Sequence, residues 1–126
     1  MKCEPYYKKL NEDEKIEVGD IISLDPISNK VKLACNKFRN KDEEVIGVCI
    51  KIDKNLVYVA NKGSTDVNVV GIICLGDKIT TSEKLGKARA IKYVEQDETI
   101  FNIRSLGKVI GLYDTYNKAK VILDIE

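Results

Sequence analysis

The sequence predicts an all-β fold: a compact barrel or sandwich of short strands built from two related halves. Three observations lead there. Short β-branched runs recur about every ten positions between turn residues, helical periodicity is weak, and the chain repeats internally. The first four runs are 21–24, 31–35, 45–52 and 56–60; then come 67–75, 79–81, 88–91, 108–112 and 120–125. Asp25-Pro26-Ile27-Ser28-Asn29, Asp53-Lys54-Asn55 and Asn61-Lys62-Gly63-Ser64 punctuate them, because Asp, Asn, Pro and Gly supply the dihedrals of tight turns. The one weak helix candidate is around 93–103, and Thr99-Ile100-Phe101 argues against much of it.

The repeat is read from two motifs. Gly19-Asp20-Ile21-Ile22-Ser23 aligns with Gly76-Asp77-Lys78-Ile79-Thr80 at an offset of 57, which also sets Lys30-Val31-Lys32-Leu33 on Lys87-Ala88-Arg89-Ala90. Val45-Ile46-Gly47-Val48 aligns with Val109-Ile110-Gly111-Leu112 at an offset of 64, pairing Lys54 with Lys118 and Val57 with Val121. The chain is thus expected to be one domain, 1–126, with an N-terminal segment 1–15 and repeat units at about 16–61 and 74–125. Gly19, Asp20, Gly76 and Asp77 are expected at turns. Gly47 and Gly111 are expected where a strand bulges or a neighbouring backbone comes close.

Composition mainly removes functions. Lys and Arg number 21 against 20 Asp and Glu, which leaves no general field for phosphates, so no nucleic-acid partner is expected. The only basic cluster with aromatics is Tyr6-Tyr7-Lys8-Lys9. There is no His, so imidazole chemistry is excluded. Ser23, Thr80 and Ser82 lie near the Gly-Asp motifs but lack an evident base; Lys78 or Lys84 would serve only if desolvated. No catalytic, cofactor-binding or metal residue is assigned, and no cofactor is expected. Cys3, Cys35, Cys49 and Cys74 are separated by 31, 13 and 24 residues, the wrong spacing for a local zinc site. They read as reduced thiols buried as small hydrophobes. The acidic clusters 12–14, 42–44 and 95–98 read as solvated loops without calcium-loop spacing. Tyr58, Tyr93, Tyr113 and Tyr116 read as core or interface aromatics. Lys54 sits in a turn like a carrier-module lysine, but the residues flanking that attachment site are missing.

The N-terminus has no apolar signal core, and the longest apolar run, 69–75, falls far below the roughly 20 residues of a membrane span. No membrane partner is expected, and the chain is expected to be cytoplasmic on synthesis. The run 67–75 is apolar on both faces, Val67, Val69 and Ile73 against Val70, Ile72 and Cys74. It reads equally as a central strand or as a subunit interface.

At these same motifs a resemblance emerges. Gly19-Asp20-Ile21-Ile22-Ser23-Leu24-Asp25, then Val45-Ile46-Gly47-Val48, then the segment from Val67 through Gly71-Ile72 to Gly76-Asp77 resemble the β domain near the C-terminus of phage tail-fibre and neck-appendage proteins. Ser82-Glu83-Lys84-Leu85-Gly86-Lys87-Ala88, Gly107-Lys108-Val109-Ile110-Gly111 and Val121-Ile122-Leu123-Asp124-Ile125 extend it over residues 16–125. The resemblance implies a non-enzymatic structural or assembly module of a phage tail, prophage or tail-like particle. Its partners would be itself, as a homotrimer, and other particle proteins. Some relatives are intramolecular chaperones that cleave themselves, so a self-processing domain is the alternative, although no residue here takes the nucleophile's or acid's role. A small-ligand or protein-binding β module is the third reading.

Overall fold

A computed structural model describes residues 6–35, 44–92, 103–115 and 117–125. Among them all regular structure is β, in ten strands: β1 (Tyr6–Lys8), β2 (Ile21–Asp25), β3 (Lys30–Leu33), β4 (Glu44–Asp53), β5 (Leu56–Ala60), β6 (Lys62–Asn68), β7 (Lys78–Thr81), β8 (Ala88–Ala90), β9 (Gly107–Leu112) and β10 (Lys118–Asp124). They form two five-stranded antiparallel sheets, in the orders β1-β5-β4-β2-β3 and β6-β10-β9-β7-β8. Each order is the other shifted by five strands, so the halves are two copies of one topology.

Each sheet curls until its edge strands meet. Lys9 forms a parallel bridge to Val31 in the first half, and Val69 forms the same bridge to Ala88 in the second. Leu10 N–H donates to the Val31 carbonyl at 2.7 Å, and Val70 N–H to the Ala88 carbonyl at 2.8 Å. Closure satisfies edge groups that would otherwise pair with another chain. The Gly-Asp turns repeat bond for bond: Gly19 N–H to Cys49 O and Gly76 N–H to Val109 O, then Cys49 N–H to Asp20 O and Val109 N–H to Asp77 O.

These pairings correct the repeat's register beyond β3. Gly47 pairs with Ile22, and Gly107, not Gly111, pairs with Ile79, the equivalent of Ile22. A Cβ on Gly47 would run into the Ala60 carbonyl oxygen and Val59 Cγ1; on Gly107 it would run into the Ile122 carbonyl oxygen and Val121 Cγ1. The β4–β9 offset is therefore 60, and the β5–β10 offset 62. Each of these hairpins carries one bulge. Ile50 is the extra residue between Cys49 and Lys51, and Ile110 the extra residue between Val109 and Gly111. Gly111 lies in β9 with only the Lys120 side chain near it.

A second correction concerns 67–75. The strand in this region is β6, Lys62–Asn68, so the expected turn at 61–64 shrinks to Asn61 between β5 and β6. Gly71 adopts φ +78, and the chain then runs out to solvent: Ile72 is 88% and Leu75 63% exposed. Two-sided apolarity here means burial for Val67 and Val69; beyond Gly71, Ile72, Cys74 and Leu75 are exposed while Ile73 turns back, half-buried, against the core. β1 is a strand the apolar pattern does not show. Residues 93–102 of the helix candidate 93–103, residues 42 and 43 of the acidic cluster 42–44, the cluster 95–98, Cys3, Tyr93 and Tyr116 lie outside the described residues.

The core follows the repeat. Ile22, Val31, Cys49, Val57 and Val59 fill the first half, and Ile79, Ala88, Val109, Ala119 and Val121 fill the same places in the second. Ile21, Ala34, Val45 and Val48, from the first half, pack into the second half's cluster and join the two.

Candidate functional site

The most elaborate polar arrangement lies where the halves meet. Asp20 ends the first Gly-Asp turn and is 1% exposed. One carboxylate oxygen, Oδ2, accepts the Glu17 amide at 3.0 Å, closing the turn on itself. The other, Oδ1, accepts Asn68 Nδ2 and Lys87 Nζ, each at 2.8 Å. Asn68 ends β6 and Lys87 precedes β8, so both donors come from the second half. Asn68 Nδ2 also donates to the Val18 carbonyl at 3.1 Å, and its own amide donates to the Gly19 carbonyl at 2.9 Å. Glu17 lies 3.8 Å from Lys87 but is largely exposed, so that second ion pair adds little.

Backbone completes the joint. Ile21 N–H donates to the Gly86 carbonyl and Gly86 N–H to the Ala34 carbonyl, both at 2.8 Å. Gly86 adopts φ +76, and a Cβ there would lie 2.7 Å from Leu33 Cδ2 and 3.0 Å from Asp20 Cγ. Glycine is therefore required for both conformation and space. Chemically, the cluster is a satisfied charge pair with an amide clamp: it fixes one half against the other.

The six sequence-derived positions separate by role. Gly19 and Gly76 take φ +98 and +88 at equivalent turns. Asp77 Oδ2 accepts the Cys74 amide at 2.8 Å, the counterpart of Asp20 with Glu17. Gly47 sits at a close backbone approach, as expected, and Gly111 does not share that place. Of the hydroxyl candidates, Ser82 is 3% exposed and donates to the Lys84 and Lys87 carbonyls, shaping the turn before β8. Ser23 and Thr80 are buried. The thiols differ: Cys49 is buried, with its pKa pushed up to about 11 by desolvation, while Cys74 is exposed, against the expectation of burial. Cys35 Sγ lies 3.2 Å from the Glu83 carbonyl. Among the described residues no three His, Cys, Asp or Glu side chains gather as a metal site, and no helix is long and apolar enough to cross a membrane.

Tyr113 donates to Asp66, which raises the phenol's pKa. At the opposite sheet's edge, Tyr6 packs on Tyr58 with ring centroids 5.7 Å apart, and Lys51 lies over Tyr58. The sequence aligns Lys87 with Lys30 and places Gly86 in the 82–88 motif, but neither these residues nor Asn68 carries a mark of its part in the joint. No family model matches this chain, and neither curated proteins nor solved structures give a match.

Proposed function

We propose that this chain is a non-enzymatic structural or assembly module of a phage tail, prophage or tail-like particle, acting through contacts with itself and with other particle proteins. The observation that carries this reading is how its buried polar groups are employed. Asp20 and Asn68 clamp the halves and Ser82 shapes a turn; among the described residues every buried polar side-chain atom has a hydrogen-bond partner. Such a body is built to be rigid. The order of the Gly-Asp, Val-Ile-Gly, valine-rich 67–70 and terminal 121–125 motifs supports the particle context, as does the exposure of large apolar side chains such as Ile27, Ile72 and Leu75. Quantitative mass spectrometry and immunogold microscopy of density-purified particles from the source cells test it. The expected result is fixed-stoichiometry co-purification with labelled particles. A chain that remains entirely in the soluble fraction while particles band without it overturns the reading.

A further inference from the structure

The joint is head to tail. The first half presents the row Ile21–Val48–Ala60, three cross-strand neighbours on β2, β4 and β5. All three are buried. The second half meets this region with elements from elsewhere on its own surface, namely the end of β6 and the Gly86-Lys87 turn. A contact between different surfaces of two like units can in principle be repeated by a third unit.

The outer ends of the tandem show whether it can. The row equivalent to Ile21–Val48–Ala60 in the second half is Lys78–Lys108–Ile122, on β7, β9 and β10. Lys78 and Lys108 are exposed and Ile122 is 47% exposed. The rest of the joint's chemistry persists at these ends. Asp77 stands for Asp20, and Lys30, exposed at the start of β3, stands for Lys87. Gly86 against Leu33 becomes Asn29 against Ala90, a larger residue set against a smaller one, and Asn29 keeps the positive φ at +58. The change that removes complementarity is the pair of ammonium groups. Docking a second copy would bury them, and it would bring up Lys8 and Lys30, the equivalents of Asn68 and Lys87. Burying such charges without partners is costly.

We propose that the Lys78–Lys108 pair is a built-in stop: it keeps the fold's own head-to-tail contact from extending to a second copy of this chain. Self-association then proceeds through another surface. This inference rests on the reading of the chain as an assembly module only in giving the stop a purpose. Its test uses purified protein in solution, so failure of the particle reading is scored separately.

The test is sedimentation velocity over a hundredfold concentration range for four proteins: wild type, Lys30→Glu, Lys78→Ile with Lys108→Val, and that double variant with Lys30→Glu added. Expected is that Lys30→Glu leaves wild-type association unchanged. The double variant gains larger species with at least tenfold tighter association, and adding Lys30→Glu removes the gain by denying Asp77 its cation. A double variant that associates no more than wild type overturns the proposal. So does a gain that survives Lys30→Glu, which marks nonspecific stickiness. Should the double variant misfold, Lys78→Gln with Lys108→Gln, which removes both charges at similar size, takes its place under the same criteria. Loss of wild-type association on Lys30→Glu alone also overturns the proposal, because it shows the head-to-tail face already in use.

Discussion

Asp20 and Asp77 stand at the same point of the same turn, 57 residues apart, and only Asp20 is roofed by the other half. Both side chains accept an amide three residues back, Glu17 in one case and Cys74 in the other. Only Asp20 also receives the Asn68 amide and the Lys87 ammonium. One duplicated turn thus does two jobs: in the second half it closes a loop, and in the first it closes a loop and fastens the halves.

Asn68→Ala removes two side-chain hydrogen bonds, one to a buried carboxylate, and should cost about 2 kcal/mol of unfolding free energy. Lys8 occupies the equivalent place in the first half and is exposed, so Lys8→Ala should stay within about 0.5 kcal/mol of wild type. Urea denaturation of both variants checks the contrast.

Gly47→Ala and Gly107→Ala should destabilise alike, each by about 3 kcal/mol, because the new methyl meets a carbonyl oxygen fixed in the sheet. Gly111→Ala should cost clearly less than either, since the nearest atom to its methyl is Lys120 Cβ at 3.2 Å rather than a clashing carbonyl oxygen. Thermal melts of the three variants separate the 60-residue register from the 64-residue one. A Gly111→Ala loss as large as that of Gly47→Ala would restore the latter.

The buried Cys49 thiol has its pKa raised from 9.0 to about 11, chiefly by desolvation and further by the Asp20 charge, against a smaller lowering from a backbone hydrogen bond at Lys51. The folded chain therefore holds this proton more tightly than the unfolded chain. Its contribution is fully present below pH 9 and is lost as pH rises through about 11. Cys49→Val installs the residue that the second half carries at the same position, Val109, and should fold. The difference in stability between wild type and Cys49→Val should shift against wild type between pH 9 and 11 and be flat from pH 6 to 8. Denaturant titrations across that range measure it.

What was legible in the sequence follows from what a pattern can carry. Alternation showed most strands, and the Gly-Asp motif fixed the repeat through β3, because a turn needing positive φ at Gly19 and Gly76 leaves a residue-level mark. The β4–β9 register was not legible. A slip of four preserves the two-residue alternation, and the wrong offset gives the better local match: 64 sets Val45-Ile46-Gly47 on Val109-Ile110-Gly111, whereas 60 sets it on Ser105-Leu106-Gly107. Strand pairing and the close approach of Ala60 to Gly47 and of Ile122 to Gly107 distinguish them. β6 was misplaced because its Lys-Gly-Ser-Thr-Asp start is exposed and carries turn residues, although it pairs with β10 along its whole length. The clamp was beyond reach for another reason: Asp20 lies 48 residues from Asn68 and 67 from Lys87, and none of the three is unusual alone.

The most direct test of a duplicated fold fastened at Asp20 is a double-mutant cycle on Asp20→Asn and Lys87→Met, read by equilibrium urea unfolding, with Asp77→Asn and Lys30→Met as the matched pair at the ends. The account predicts a coupling free energy of about 1.5 kcal/mol or more between Asp20 and Lys87, and about zero between Asp77 and Lys30. Additive effects of Asp20→Asn and Lys87→Met, or equal coupling in both pairs, would contradict it.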